Sequence, residues 1–343
     1  MAKQARINIS AYLSQNFSNS FLTIFLPLFF IGALVFIIKI SSLTASIQIN
    51  FWEMIQLFGY NLPLILFYTI PISFLVAIVI TLLRLSNENE LMALFALGTK
   101  SKSIIYRLFF ISLLFSIILL ILSLGLIPKT KQQFKSFKQE KSTQAQVNIN
   151  PSKLGQKFGN LFVYVESKTD NKLNNIVIFN KDKEHNNQLF IAKHAHIQNK
   201  NALITLTLED GSGYTFDEKV IKEINYEEMQ VYQSLHSDEF TYNNIIDYWT
   251  ALSLGSRKGR ILFFIYISLI PMMGLLSISA FSIINPRYQK NYAYIVVAVV
   301  AIALYGTAMA LENSGTFLLL LLAIIMPIII GLLLFRHNVS RYF

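Results

Sequence analysis

Six uncharged apolar stretches, three on each side of one long polar block, constrain this chain more than any other feature. They run Phe21 to Ile38, Ile55 to Leu83, Leu108 to Ile127, Ile261 to Ile284, Tyr292 to Leu311 and Thr316 to Phe335. Each is close to or beyond the ~20 apolar residues with which a helix crosses a ~30 Å hydrocarbon core. The reading is an α+β membrane protein: six transmembrane helices with an inserted extramembrane domain. Its parts are an N-terminal membrane half (1–128), a polar domain with flanking segments (129–260) and a C-terminal membrane half (261–343). The first stretch is too long for a signal-peptide core, and no small-residue cleavage site follows it, so it reads as a retained anchor.

Charge placement gives the expected orientation. Of the 48 Asp, Glu, Lys and Arg residues, 33 fall between Lys129 and Arg260. With a cytoplasmic N-terminus, the short cytoplasmic segments hold Lys3, Arg6, Arg84, Lys100, Lys102, Arg107, Arg287, Lys290, Arg336 and Arg341, whereas the two short loops opposite hold only Lys39. That asymmetry is the positive-inside pattern and predicts both termini in the cytoplasm, with residues 129–260 in the periplasm of a bacterium. The net charge of +10 then reflects topology and membrane-surface contact, not a nucleic-acid patch. With no cysteine, disulfides and thiolate metal sites are excluded.

Ile9, Tyr12, Leu13, Phe17 and Phe21 recur at three- and four-residue spacing, which predicts an interfacial amphipathic helix turning into the first span. Pro63 and Pro71 predict a tilted or kinked second span, or one preceded by an interfacial turn. From Gly159 onward, β-rich runs at 161–166, 175–179, 188–196, 202–208 and 228–232 alternate with polar or Gly-containing breaks. Thr169 to Lys172 and Asp210 to Gly213 are two of those breaks. This pattern predicts a periplasmic antiparallel β-sandwich or jelly roll.

The chain carries no Walker A sequence, no Gly-rich dinucleotide turn and no G-x-S-x-G elbow, so it is read as non-catalytic and without cofactor. His194 and His196 share a strand face, a pattern more often a solvated surface than a metal site when no third ligand is near. Lys39, at the outer end of the first span, is either a snorkelling anchor or an anion-binding group at a cavity mouth. Lys129, Lys131, Lys135, Lys138 and Lys141, with Arg257, Lys258 and Arg260, sit on the outer side against the positive-inside preference. A polyanionic ligand or a solvated helix surface would account for them. The loop Ser86 to Gly98 has an Asn or Ser cap, acids in its first turn, an apolar stripe at Leu91, Leu94 and Phe95, and Gly98 as a stop. It predicts a short surface helix suited to a partner's groove.

In order, the chain shows A-Y-L at Ala11 to Leu13, F-I-I-K at Phe36 to Lys39, S-x-x-x-E-L-x-A-L-x-A-x-G at Ser86 to Gly98, F-V-Y-V-E at Phe162 to Glu166, and I-N-P-R at Ile284 to Arg287. In this order and topology it resembles the LptF/LptG family of lipopolysaccharide export permeases, with Asn285-Pro286-Arg287 nearer the LptF branch. The resemblance implies a permease subunit of an ABC-type exporter that takes lipopolysaccharide from the outer leaflet of the inner membrane to a periplasmic bridge. Residues 88–98 then form the coupling helix, with Glu88, Glu90, Leu91, Leu94, Phe95 and Gly98 in it and Glu90 at the acidic position engaging the ATPase. Lys39 falls at the family's phosphate-contacting lysine; Arg257, Lys258 and Arg260 have no motif match, and a lipid-phosphate role for them rests on their charge. The implied partners are an LptB-like ATPase dimer, a second LptF/LptG-like permease, an LptC-like periplasmic protein, lipopolysaccharide and the membrane. Competing readings are a permease-like subunit of another ATP-driven envelope complex, whose usual four spans disagree with six, and a membrane-anchored β-domain scaffold, for which six spans are excessive. A membrane enzyme would need buried His, Asp or Glu that the spans lack.

Overall fold

The structure is a computed structural model and describes residues 9–44, 49–147, 156–158, 161–169, 172–180, 187–200, 203–216, 221–234, 248–249, 255–286, 288 and 290–339. The chain divides into two compact units. The first comprises Met1–Ser41, Trp52–Gln133 and Tyr242–Phe343, and the second Ser42–Phe51 and Phe134–Thr241.

Backbone polar groups in lipid must bond within their own segment, so apolar runs of this length become helices. Six described helices have the length and composition to cross a membrane. The helical elements are α1 (Ile9–Thr44), α2 (Phe51–Asn87), α3 (Glu90–Ala96), α4 (Ser101–Ile121), a π-helical turn (Leu122–Leu126), α5 (Ile127–Val147), α6 (Gly255–Ser282), α7 (Ala293–Ser314) and α8 (Phe317–Asn338). The expected turn between an interfacial helix and the first span is absent. Ser18, Asn19 and Ser20 interrupt the apolar pattern without breaking the backbone, and α1 runs on as one helix of 36 residues, ~54 Å at 1.5 Å per residue. Leu13 and Phe17 are fully buried in the helical core, which holds that first part of α1 against the bundle. Helix α2 likewise continues through Pro63 and Pro71. Thr69 Oγ1 donates to the Ile65 carbonyl at 2.9 Å and Ser73 Oγ to the Thr69 carbonyl at 2.7 Å, each satisfying its hydroxyl on the helix's own backbone.

Helix α6 is the centre of this unit. Within its most apolar stretch 72% of residues are buried, against 56% for α2 and 11% for α1 and α8. Close approach of α8 to α6 depends on Gly331, where a Cβ would lie 2.9 Å from Leu276 Cβ and 3.0 Å from the Ser277 nitrogen. Small residues at such crossings let the backbones of membrane helices approach closely and pack. The π-helical turn is pinned from outside its helix: Trp249 Nε1 donates to the Leu124 carbonyl at 2.9 Å, and the Ser123 and Ser268 hydroxyls lie 3.1 Å apart.

The second unit contains the inserted antiparallel β domain. Strands β1 (Gln156–Phe158), β2 (Leu161–Thr169), β3 (Lys172–Asn180), β4 (Asn187–Lys200), β5 (Leu203–Phe216) and β6 (Ile221–Ser234) form a six-stranded sheet in sequence order. The described strands thus make one antiparallel sheet, in keeping with an inserted antiparallel β domain. The sheet is interrupted along a single line. Regular pairing skips Glu166 opposite Asn175, Asn175 opposite Lys193, Lys193 opposite Asp210, and Asp210 opposite Glu227. Asn175 and Asp210 have φ of 49° and 51°, the left-handed region that Asn and Asp tolerate best.

Burial slips by one residue at this line. In β3 the inward positions are Leu173, then Ile176 and Ile178; in β4 they are Ala192, then Ala195. One extra residue per strand keeps the same face inward on both sides of a crease, and a single apolar cluster draws Val163, Val165, Ile176 and Ile178 from one side and Leu173, Ala195, Leu206 and Leu208 from the other. Asp210 to Gly213, read from sequence as a break between strands, lies inside β5 at the crease. Its glycines are required by close approach: a Cβ on Gly211 would lie 2.3 Å from the Ile191 carbonyl oxygen, beneath the Tyr226 ring. Tyr226 Oη reaches across to donate to that carbonyl at 3.2 Å.

Candidate functional site

The loop between α2 and α4 folds as α3, shorter than the expected 88–98 segment. Helix α2 continues to Asn87, so Glu88 lies outside α3 and pairs back with Arg84 at 3.1 Å. Both members of that pair are about half exposed, so it contributes only about 0.3–0.5 kcal/mol. The chain then makes a tight turn, with Asn89 N–H donating to the Ser86 carbonyl at 3.1 Å. Asn89 occupies the capping position with φ 58° and makes no side-chain cap bond, so the expected Asn cap is positional only.

The far end of α3 matches its sequence signal. Gly98, at φ 85°, donates to the Phe95 carbonyl at 2.9 Å, and Thr99 donates to the Leu94 carbonyl at 3.1 Å. These paired bonds form a Schellman ending, which needs a residue free to take positive φ. Leu91 is fully buried, and Leu94 and Phe95 pack partly buried against the same core, so the apolar stripe is used to seat α3 on the bundle. Leu97 is 83% exposed.

Three sequence motifs far apart in the chain meet here. Tyr12, from A-Y-L, donates its hydroxyl to Glu90 Oε2 at 2.5 Å across 78 residues. Asn16 Nδ2 bonds the Tyr12 carbonyl at 3.1 Å. Ser86 Oγ donates to the Ser282 carbonyl at 3.1 Å and accepts from Ile284 N–H at 3.3 Å, joining the loop motif to I-N-P-R across 198 residues. Ser86 is fully buried. A helix seated by Leu91, hydrogen-bonded through Glu90 to α1 and adjoining a turn bonded to the end of α6 is mechanically tied to three transmembrane helices. Sequence reasoning missed Tyr12 and Ser86 as partners, because a hydroxyl in an amphipathic pattern says nothing of a carboxylate 78 positions away.

The cationic residues are spread over several helices. Lys39 is exposed near the end of α1 opposite to Tyr12. Arg257, Lys258 and Arg260 lie in the first turns of α6; Lys258 is exposed and Arg260 half-buried, while the Arg257 side chain lies outside the described residues. Lys129, Lys131, Lys135, Lys138 and Lys141 all fall on α5, and Lys131 Nζ sits 5.8 Å from the centre of the Phe264 ring, a cation–π distance.

In the β domain, His194 and His196 lie on the half-exposed face and are engaged locally. His194 Nδ1 is 3.0 Å from Asn174 Oδ1, and His196 Nε2 is 3.5 Å from Glu209 Oε1. Among the described residues no group of three His, Asp or Glu converges as a metal site would require. Burial pushes the Tyr226 phenol up to about 12.

Residues 11–336 match the family described as lipopolysaccharide export system permease LptF/LptG. No individual curated protein matches the chain.

Proposed function

The chain belongs to the LptF/LptG family of lipopolysaccharide export permeases, and from that premise we propose that it extracts lipopolysaccharide from the outer leaflet of the inner membrane under the drive of a separate ATPase. The family makes it a non-catalytic, multi-pass inner-membrane permease subunit of a lipopolysaccharide export complex. The finer reading assigns α3 as the coupling helix, docked on a cytoplasmic LptB-like ATPase dimer, with Glu90 as its key acidic group. Both termini are then cytoplasmic and residues 129–260 periplasmic. The creased sheet passes lipid to an LptC-like protein, and a second LptF/LptG-like permease completes the cavity. Lys39, Arg257, Lys258 and Arg260 contact lipid A phosphates at its rim.

The observation that carries this reading is the convergence of Tyr12, Ser86, Glu90 and Ile284 around α3. A surface helix bonded to α1 and seated beside the ends of α2 and α6 converts a push on its exposed side into movement of spans. Packed side chains, hydrogen bonds and rigid elements of this kind carry energetic coupling between sites. The test is affinity purification in mild detergent of wild type, Glu90→Ala and Leu97→Asp, followed by lipopolysaccharide release measured in vesicles. Wild type should retain an ATPase and a second six-span permease; Glu90→Ala should lose ATPase or its coupling to release by tenfold or more, as loss of a charge-assisted contact implies, and Leu97→Asp should lose it by placing a charge on the exposed apolar side of α3. Undiminished association and release in both variants would remove the coupling assignment.

A further inference from the structure

A cleft of about 1180 Å³ opens between α4, α6 and α8 at the end of these helices where α4 begins and α8 ends. Its walls are apolar, including Ile105, Phe109, Leu275, Leu276 and Leu332, and three basic side chains, Lys102, Arg336 and His337, stand at one end. A smaller recess of about 280 Å³ shares His337 and adds Lys290 and Tyr292. Lys102, Lys290 and Arg336 are exposed, and among the described residues none has a carboxylate within ion-pair distance. The acids of the neighbouring loop are engaged elsewhere, Glu88 by Arg84 and Glu90 by Tyr12. The cleft is larger than most small-molecule pockets, which span ~300–1,000 Å³. Tyr106 and Leu333 at its mouth are 63% and 64% exposed, on helices that lie in a bilayer, so an occupant enters sideways from lipid.

We propose that this cleft seats an anionic glycerophospholipid from the leaflet on the side where α4 begins and α8 ends, with acyl chains against α4, α6 and α8 and its phosphate at Lys102, Arg336 and His337. The apolar walls fit any phospholipid, so selectivity lies in the rim. Cations held at a membrane surface favour anionic over zwitterionic headgroups, and each Lys or Arg contributes on the order of a fivefold preference. Basic side chains that pair with no carboxylate among the described residues, at the head of an apolar cleft, are complementary to one ligand shape, a phosphate with chains attached. The site depends only on the helices being membrane-embedded, and its failure leaves the export reading untouched.

Native mass spectrometry of the full-length protein, with whatever partners co-purify, in detergent containing equal phosphatidylglycerol and phosphatidylethanolamine tests the site. Wild type should carry phosphatidylglycerol preferentially. The double variant Lys102→Gln, Arg336→Gln should lower that preference roughly 25-fold, fivefold for each cation, whereas Lys102→Arg, Arg336→Lys should keep it and so control for folding. Leu276→Trp, which fills the cleft, should reduce both lipids. Equal binding of the two lipids by wild type, or an unchanged preference in the double Gln variant, overturns the proposal. So does competition by soluble glycerol phosphate, which would mark a free-anion site, or capture of a protein in place of lipid by a photocrosslinker at position 333.

Discussion

At the scale of single residues, two side chains carry predictions of opposite character. Lys39 is an exposed cation on α1, and its family position implies contact with a lipid A phosphate. A charge-assisted bond to phosphate is worth about 1.5–3 kcal/mol, so Lys39→Gln should weaken lipopolysaccharide affinity by roughly 10-fold or more. Arginine there should be tolerated by both an anchor and a ligand, so the informative measurement is photocrosslinking at position 39 together with export in Lys39→Gln. Absence of a lipid adduct with normal export would leave Lys39 an interfacial anchor. Tyr226 is a structural case. Burial raises its phenol from 10.0 to about 12, and its hydroxyl donates to the Ile191 carbonyl over Gly211. A raised pKa favours the neutral form in the fold, so this stability is complete below pH 10 and is lost as pH rises through 12. The spectrophotometric titration of wild type minus that of Tyr226→Phe should show a phenol ionising near 12 in native protein and near 10 after denaturation. Neither behaviour is legible in sequence: the tyrosine sits in an ordinary polar strand pattern, and only the sheet places it over Gly211.

At the scale of elements, packing at one glycine separates helix association from lipid exposure. Gly331 lies against Leu276 and Ser277 of α6, whereas a Cβ on Gly306 of α7 would meet open space. Gly331→Ala should therefore destabilise the helical unit by about 1–3 kcal/mol through overpacking, while Gly306→Ala should be neutral or gain about 0.5–1 kcal/mol in helix propensity. Thermal unfolding in detergent compares the two, and equal midpoints would show that the α6–α8 crossing does not depend on a bare backbone. Helix existence was readable from the uncharged stretches because lipid leaves the backbone no alternative. Helix ends were less readable: Asn87 and Glu88 resemble a cap, yet α2 continues through Asn87 and α3 begins only after the turn at Asn89. In the β domain, Asp210-Gly211-Ser212-Gly213 carries the residues of a turn, and a crease needs the same residues. Asp supplies positive φ and Gly permits close approach in both, so only alignment with Asn175 and Lys193 on neighbouring strands tells them apart. Charged Lys222, Glu223, Glu227 and Glu228 hid the length of β6; among the described strands it is the outermost after β5, and charges on such a strand oppose edge-to-edge aggregation.

At the scale of the whole molecule, the distribution of basic residues argues for one orientation. The ends of the spans that share a side with α3 hold Arg84, Lys100, Lys102, Lys290 and Arg336, whereas Lys39 is the only basic residue in either short loop on the other side. Translocating Lys and Arg in short loops is disfavoured, so α3 and both termini should face the cytoplasm and the β domain the periplasm. The chain has no cysteine, so single cysteines can be read without background. Ser86 is a poor reporter for the side that holds α3 because it is buried and bonded to Ser282 and Ile284. Leu97 and Tyr288, at 83% and 84% exposure, are the better choices there, with Ile224 at 64% for the β domain. An impermeant maleimide applied to intact spheroplasts should label Leu97→Cys and Tyr288→Cys only after lysis, and Ile224→Cys without it. Labelling of positions 97 and 288 in intact spheroplasts, with position 224 protected, would place α3 away from any cytoplasmic ATPase. The coupling assignment and the orientation would then fall together, since a helix on the periplasmic face has no nucleotide-driven partner to receive.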